Sequence, residues 1–167
     1  MINTSNWKKF YYKDLFEIKG SSTTKLDDLN DYGEGEYPYV TTQAVNNGVA
    51  GFYNYYTEDG NCLVVDSAVL GTCTYQKQNF SASDHVEVLL PKFEMNENIA
   101  LFLTTIINME QYKYSYGRKR SQTKLKKEYM LLPQDSEGNP DWEYMDEFME
   151  NLENLERERA MLLLRIR

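Results

Sequence analysis

Residues 61–90 read NCLVVDSAVLGTCTYQKQNFSASDHVEVLL, and this stretch decides the fold class. Its runs at 62–66, 69–76 and 85–90 are heavy in Val, Leu, Tyr and Thr, side chains that suit a pleated, half-buried surface. Polar turn residues at 81–83 split them. Gly71 interrupts a strand pattern, which predicts a bulge or a close backbone approach. Cys62 and Cys73 sit in the apolar runs and read as reduced core residues. Upstream, runs at 36–42 and 51–56 repeat the pattern around Asn46-Asn47-Gly48, and Asp59-Gly60-Asn61 precedes the next strand. The first 95 residues are therefore expected to be β-rich.

Downstream the period changes. Asn96 suits a helix N-cap with Glu97 in the first turn, and Ile99, Phe102, Leu103, Ile106 and Ile107 recur at helical spacing up to about Met109. This helix is expected to pack on the sheet. Thr123 is placed to cap a short turn, and 129–132 reads as a last strand closed by Pro133. After a linker at 134–139, Pro140 suits the first turn of a helix whose positive end is complemented by Asp141, Glu143, Asp146 and Glu147. Met145, Phe148, Leu152, Leu155, Leu162 and Ile166 recur in steps that make an a/d seam, interrupted by Arg159. The expected organisation is α+β: a mostly antiparallel, β-rich domain over 1–133 with one packed helix, then a long coiled-coil-type helix over 140–167 reaching roughly 40 Å. That seam predicts a dimer or partner interface.

The formal charge of −8 is unevenly spread. Residues 1–133 carry 14 Lys/Arg against 16 Asp/Glu, and residues 134–167 carry 4 against 10. The acidity thus belongs mainly to the terminal helix, and the β-rich part is nearly neutral. Within it, 111–127 reads QYKYSYGRKRSQTKLKK, with seven cations, three tyrosines and no acid. A generic charge run is a solvated face. This one also offers Tyr, Ser, Gln and Thr to phosphates or base edges, and it occupies a helix-to-strand connection, where function concentrates. These features point to nucleic acid. Two further polar loops, 41–48 and 75–79, carry Gln, Asn and Thr that can pair with base edges.

Catalytic signatures are scarce. There is no phosphate-binding G-x-x-x-x-G-K-[ST] loop, no G-x-S-x-G elbow and no Asn-Pro-Pro-Tyr or Asp-Pro-Pro-Tyr tetrapeptide. Two cysteines and one histidine cannot supply a zinc site of the usual Cys and His set. Glu17-Ile18-Lys19 resembles a fragment of a metal-nuclease motif but reads better as an amphipathic strand, and His85 beside Asp84 as a surface histidine. No apolar run approaches a membrane span, and the opening MINTSNWKKF lacks a signal-peptide core, so a cytoplasmic protein is expected.

Taken in order, several motifs resemble one family. They are Trp7, Leu15-Phe16-Glu17-Ile18 and Gly20; Tyr37-Pro38-Tyr39-Val40-Thr41-Thr42; Asn46-Asn47-Gly48-Val49-Ala50-Gly51-Phe52-Tyr53; Gly71-Thr72-Cys73 with Phe80 to Val86; Gly117-Arg118, Leu125-Lys126-Lys127 and Leu132-Pro133; and Pro140-Asp141-Trp142-Glu143-Tyr144-Met145. The set resembles the target-recognition domain of type I restriction-modification specificity subunits, and the similar domains fused to type IIG enzymes. The resemblance implies a non-catalytic reader of double-stranded DNA. It also implies a partner adenine methyltransferase that brings S-adenosylmethionine, a partner restriction subunit, and no cofactor in this chain. Such subunits carry two recognition domains, each followed by a helix. This chain carries one of each, like a half-subunit that dimerises through its helix, a fragment of a longer subunit, or a domain cut from a fused enzyme.

On that reading Arg118, Lys119, Arg120 and Lys124 are expected to hold phosphates, and Thr42, Gln43, Lys77, Gln78 and Tyr116 to read bases. Two other classes compete: an anti-restriction protein mimicking DNA through its acidic surface, and an aromatic-rich carbohydrate-binding module.

Overall fold

The run Cys62-Leu63-Val64-Val65 is apolar without alternation because its strand lies between two hydrophobic layers. Leu63 and Val65 face a large core shared with helices, while Cys62 and Val64 face a smaller one with Val40, Phe80 and Ala82. The computed structural model describes residues 4–165. Its central sheet has the order β2 (Phe16–Gly20), β8 (Val86–Pro91), β5 (Cys62–Asp66), β6 (Cys73–Gln76), every pair antiparallel. A second sheet places β3 (Glu34–Val40) between β4 (Val49–Tyr53), antiparallel, and the short β7 (Ser81–Ala82), parallel. Strands β1 (Lys8–Tyr11) and β9 (Tyr129–Leu132) form an antiparallel ribbon.

Helix α1 (Tyr12–Leu15) links β1 to β2, and α2 (Leu26–Tyr32) precedes β3. Helix α3 (Glu97–Met109) starts where expected, with the Asn96 side chain accepting the Ile99 N–H at 2.9 Å. It buries Ile99, Phe102, Leu103 and Ile107 against the central sheet, with Ile106 half-buried at the margin. The short turn α4 (Gln122–Leu125) begins after Ser121, so Thr123 lies inside it and does not cap it.

Helix α5 (Trp142–Arg165) is present, but its first turns belong to the domain. The Asp141 carboxylate accepts the Tyr144 N–H at 3.0 Å, so Asp141 is the cap and Pro140 precedes it. Trp142 stacks on Phe93 at 3.9 Å, and Asn98 on α3 donates to the Asp146 carboxylate at 2.8 Å. Met145 is fully buried in the large core, which corrects its assignment to a partner interface. The same 3–4 stride that makes a seam between helices also roots a helix on its own domain. Phe148 is half-buried against Phe102. From Glu150 onward every described residue is exposed, Leu152, Leu155 and Leu162 among them, and Ile166 lies outside the described residues.

Residues 69–72, expected to open the strand at 69–76, belong instead to a loop over 67–72, and the strand begins at Cys73. The buried Asp66 carboxylate accepts the N–H groups of Ala68, Val69, Leu70 and Gly71, drawing the backbone into a tight turn. The run at 51–56 ends as a strand at Tyr53. Both cysteines are buried and free, and burial pushes each thiol up to about 12. Glu17 lies exposed on β2, while Lys19 pairs with the buried Glu58 at 2.9 Å, the arrangement of an ordinary amphipathic strand. His85 and Asp84 are both exposed, 3.5 Å apart.

Candidate nucleic-acid interface

Strand direction gathers several loops at one end of the domain. Val40, at the end of β3, pairs with Ala82 at the end of β7, and residues 83–85 lead directly into β8. Val86 at the start of β8 pairs with Asp66 at the end of β5, whose partner strand β6 begins at Cys73. Loops 41–48, 67–72 and 83–85 therefore leave the two sheets at the same end. The basic tract joins them there, because the Gln111 amide donates to the Thr72 hydroxyl at 2.6 Å and Asn108 brackets the backbone of Cys73.

The tract is not an open coil. Ser115 and Arg118 form a small turn, with the Arg118 N–H donating to the Ser115 carbonyl at 2.8 Å, and Tyr116 stands at its tip. Arg118, Lys119 and Lys124 are exposed, as are Tyr112 and Tyr116. The Lys124 ammonium donates to the Lys119 carbonyl at 2.7 Å, which holds these cations together, and Lys119 lies 5.7 Å from the Tyr116 ring. Lys113 is spent on an ion pair with Glu110.

Arg120 corrects the sequence expectation. It is 1% exposed and cannot grip phosphate. Its guanidinium donates to the Glu128 carboxylate at 3.0 and 3.1 Å, the Tyr12 hydroxyl at 2.8 Å, the Gly71 carbonyl at 3.2 Å and the Ile107 carbonyl at 3.3 Å. These five bonds match its five N–H donors. The Tyr114 ring lies 4.7 Å away. Burial opposes the charge, but Tyr12 and Glu128 more than offset it, and the arginine pKa is raised. Burial and the bond to Glu128 raise the Tyr114 pKa too, so this phenol stays protonated. Arg120 thus staples the tract to the 67–72 loop and to the end of α3. At Gly71, where a bulge or a close backbone approach within a strand is expected, the structure has a loop instead, and what comes close is the Arg120 side chain, which a Cβ would meet at 3.0 Å, while φ is +70°.

Of the expected base readers, Thr42 and Gln43 lie in the gathered end. Gln43 is half-buried, and its amide N–H donates to the Val49 carbonyl at 2.6 Å, so that part of it shapes the loop. Asn47 at φ +54° ties the same loop to β6 through its bond to the Tyr75 carbonyl at 2.8 Å. Lys77 and Gln78 lie at the far end of β6. Lys77 is paired with Glu97 at the start of α3 at 2.6 Å, and Gln78 donates to the Glu36 carbonyl at 2.8 Å. Since α3 runs from Lys77's neighbourhood back to the tract, the two groups are about 20 Å apart at 1.5 Å per helical residue. That is close to six base pairs at roughly 3.4 Å each.

Sequence reasoning missed the loop tip at Ala68-Val69-Leu70, where Val69 is 39% and Leu70 42% exposed. The signal was present as Asp66 followed by residues whose N–H groups it caps, but the β-branched run masked it.

The profile of the type I restriction modification DNA specificity domain matches residues 4–163. The chain belongs to this family. The specificity domain is 29% identical over 154 residues to the specificity subunit S.BcgI of the type II restriction enzyme BgcI from Heyndrickxia coagulans, covering 89% of this chain and 44% of that subunit. Its fold is similar to that of the type I restriction-modification S subunit from M. genitalium (TM-score 0.62, 15% identity, 96% of this chain and 43% of that one). It is likewise similar to the HsdS subunit from Thermoanaerobacter tengcongensis (TM-score 0.61, 10% identity, 97% and 40%). This specificity domain therefore spans under half the length of the relatives it matches. No described helix is long and apolar enough to cross a membrane.

Proposed function

We propose that this chain reads a DNA sequence for a restriction-modification system and places a partner adenine methyltransferase, and with it a restriction subunit, on that sequence. The supporting observation is the acid-free cationic tract, with Arg118, Lys119 and Lys124 exposed, bonded to loop 67–72 in a member of the specificity-domain family. The chain itself is a cytoplasmic, non-catalytic reader. S-adenosylmethionine belongs to the methyltransferase. Arg118, Lys119 and Lys124 hold phosphates, and Thr42, Gln43 and Tyr116 face base edges. Selection from a random duplex pool, with the chain alone and with its co-purified methyltransferase, is expected to enrich one short motif. A pool that stays random in both arms overturns the reading, and binding to a restriction enzyme in place of DNA would favour the DNA mimic.

The outer half of α5 is the docking arm, pairing with a second helix from another copy or from the methyltransferase. Its support is the row Leu152, Leu155, Leu162, each 42–58% exposed with no covering element among the described residues. Leu152→Asp with Leu155→Asp is expected to abolish that association in sedimentation or co-purification while leaving the thermal midpoint of the domain within a few degrees, because neither side chain enters the core. Retained association would exclude this face.

A further inference from the structure

The hairpin between β5 and β6 ends in an aliphatic tip that no recognition role above uses. Val69 and Leu70 stand exposed at this turn, beside the half-buried Ala68. Isolated exposed apolar residues are ordinary on a protein surface, so exposure alone carries nothing. The construction beneath the tip separates it from a casual loop. The Asp66 carboxylate binds Ala68 N–H at 2.7 Å, Val69 at 3.0 Å, Leu70 at 2.8 Å and Gly71 at 3.3 Å. The Asp66 N–H donates to the Thr72 carbonyl at 2.9 Å, and Ser67 donates twice to the His85 carbonyl, from its N–H at 2.9 Å and its hydroxyl at 3.0 Å. On the other side Arg120 holds the Gly71 carbonyl. Backbone groups on both flanks are committed, and the side chains of Val69 and Leu70 face outward.

The position of the tip names what it meets. One border is the cationic tract and another is the 83–85 turn, which shares its end of the sheets with the polar loop 41–48. A face that carries Gln and Thr to base edges enters the major groove, where the single apolar group a base pair presents is the thymine C5 methyl. An aliphatic tip rigidly held on that face is complementary to this methyl and to no other feature of the groove. A wedge between base steps would enter from the minor groove, opposite the polar readers.

We propose that Val69 and Leu70 form an apolar reader of thymine methyl groups, a specificity element distinct from the phosphate grip. The inference rests on the DNA-reading function above. Burying one methyl against an aliphatic surface corresponds to a four- to tenfold change in affinity, on the order of one buried carbon.

The test uses the full chain and the duplex it selects from a random pool, with each thymine replaced in turn by uracil, which removes only the C5 methyl. At least one replacement is expected to weaken binding four- to tenfold. Val69→Ser with Leu70→Ser should weaken binding to the thymine duplex by a similar factor and bind thymine and uracil duplexes alike, with an unchanged salt slope. Val69→Asn with Leu70→Asn, which likewise presents no methyl group, should behave in the same way. Arg118→Ala with Lys119→Ala should show the opposite pattern, a reduced salt slope and an intact thymine-to-uracil ratio. Equal binding of thymine and uracil duplexes by the unmodified chain, or full discrimination by the serine variant, overturns the inference while leaving DNA reading intact. A chain that enriches no motif overturns both.

Discussion

Arg120→Ala is expected to lower the unfolding free energy by about 3–5 kcal/mol, the cost of breaking a buried pair by removing one partner. For a chain of this size that moves the thermal midpoint down by on the order of 10 °C. Arg120 is among the largest fully buried side chains of the described residues, and every donor of its guanidinium is committed. Alanine leaves the Tyr12 hydroxyl and the Gly71 carbonyl without this donor, strips the Glu128 carboxylate of its guanidinium partner so that Tyr114 remains beside it, leaves the Ile107 carbonyl with only the Glu110 N–H, and opens a cavity besides. Arg120→Met fills more of the volume but leaves the same groups unserved. Arg120→Lys keeps the charge yet offers three donors from one point, so it cannot span Gly71, Ile107, Tyr12 and Glu128 together. Urea denaturation checks this, and a loss under about 1 kcal/mol for the alanine variant would refute the stapling role.

A triple substitution of Arg118, Lys119 and Lys124 by alanine is expected to act on binding and not on folding. All three side chains are exposed, and their removal leaves the thermal midpoint nearly unchanged. If each contacts a phosphate, the slope of log K against log salt falls by about 0.9 per contact, about 2.7 in all. Near 0.1 M salt this weakens DNA binding by two to three orders of magnitude. Fluorescence anisotropy over a salt series measures both quantities. An unchanged slope would move the grip away from the tract. The two variants also separate scaffold from surface: Arg120→Ala should destabilise the domain, and the triple variant should leave it stable but poorly bound.

Much of this architecture is legible in the residues, and the reasons are local. The helix from Asn96 to Met109 combines an N-cap with a regular apolar stripe, both decided within a turn or two. Strand β5 coincides with its apolar run, and β9 is stopped by Pro133. Helix α2 left little trace because only Leu29 is buried, too few contacts to impose a period. The β1–β9 ribbon joins residues about 120 apart in the chain, and pairing at that range has no local signature. The candidate site divides the same way. Composition located the cationic tract, but not which cation turns inward. Arg118, Lys119 and Arg120 are chemically alike neighbours, and only the meeting of Tyr12, Gly71, Ile107 and Glu128 in space makes the third a core residue. Met145 shows the converse, since one helical stride serves an external partner and the domain's own core equally well.

The loop ends of the two sheets have a consequence for how such a protein changes over time. Ala68, Val69, Leu70, Thr42 and Tyr116 contribute nothing to either hydrophobic core. Substitutions at these tips should therefore fall within about 0.5 kcal/mol of neutrality, while Asp66, Asn47 and Arg120 hold the path of the backbone beneath them. Under the proposed DNA-reading role, recognition and stability are written in different residues. A lineage can alter which bases it prefers without crossing a valley of unfolded intermediates, because the supports stay in place while the letters at the tips are exchanged.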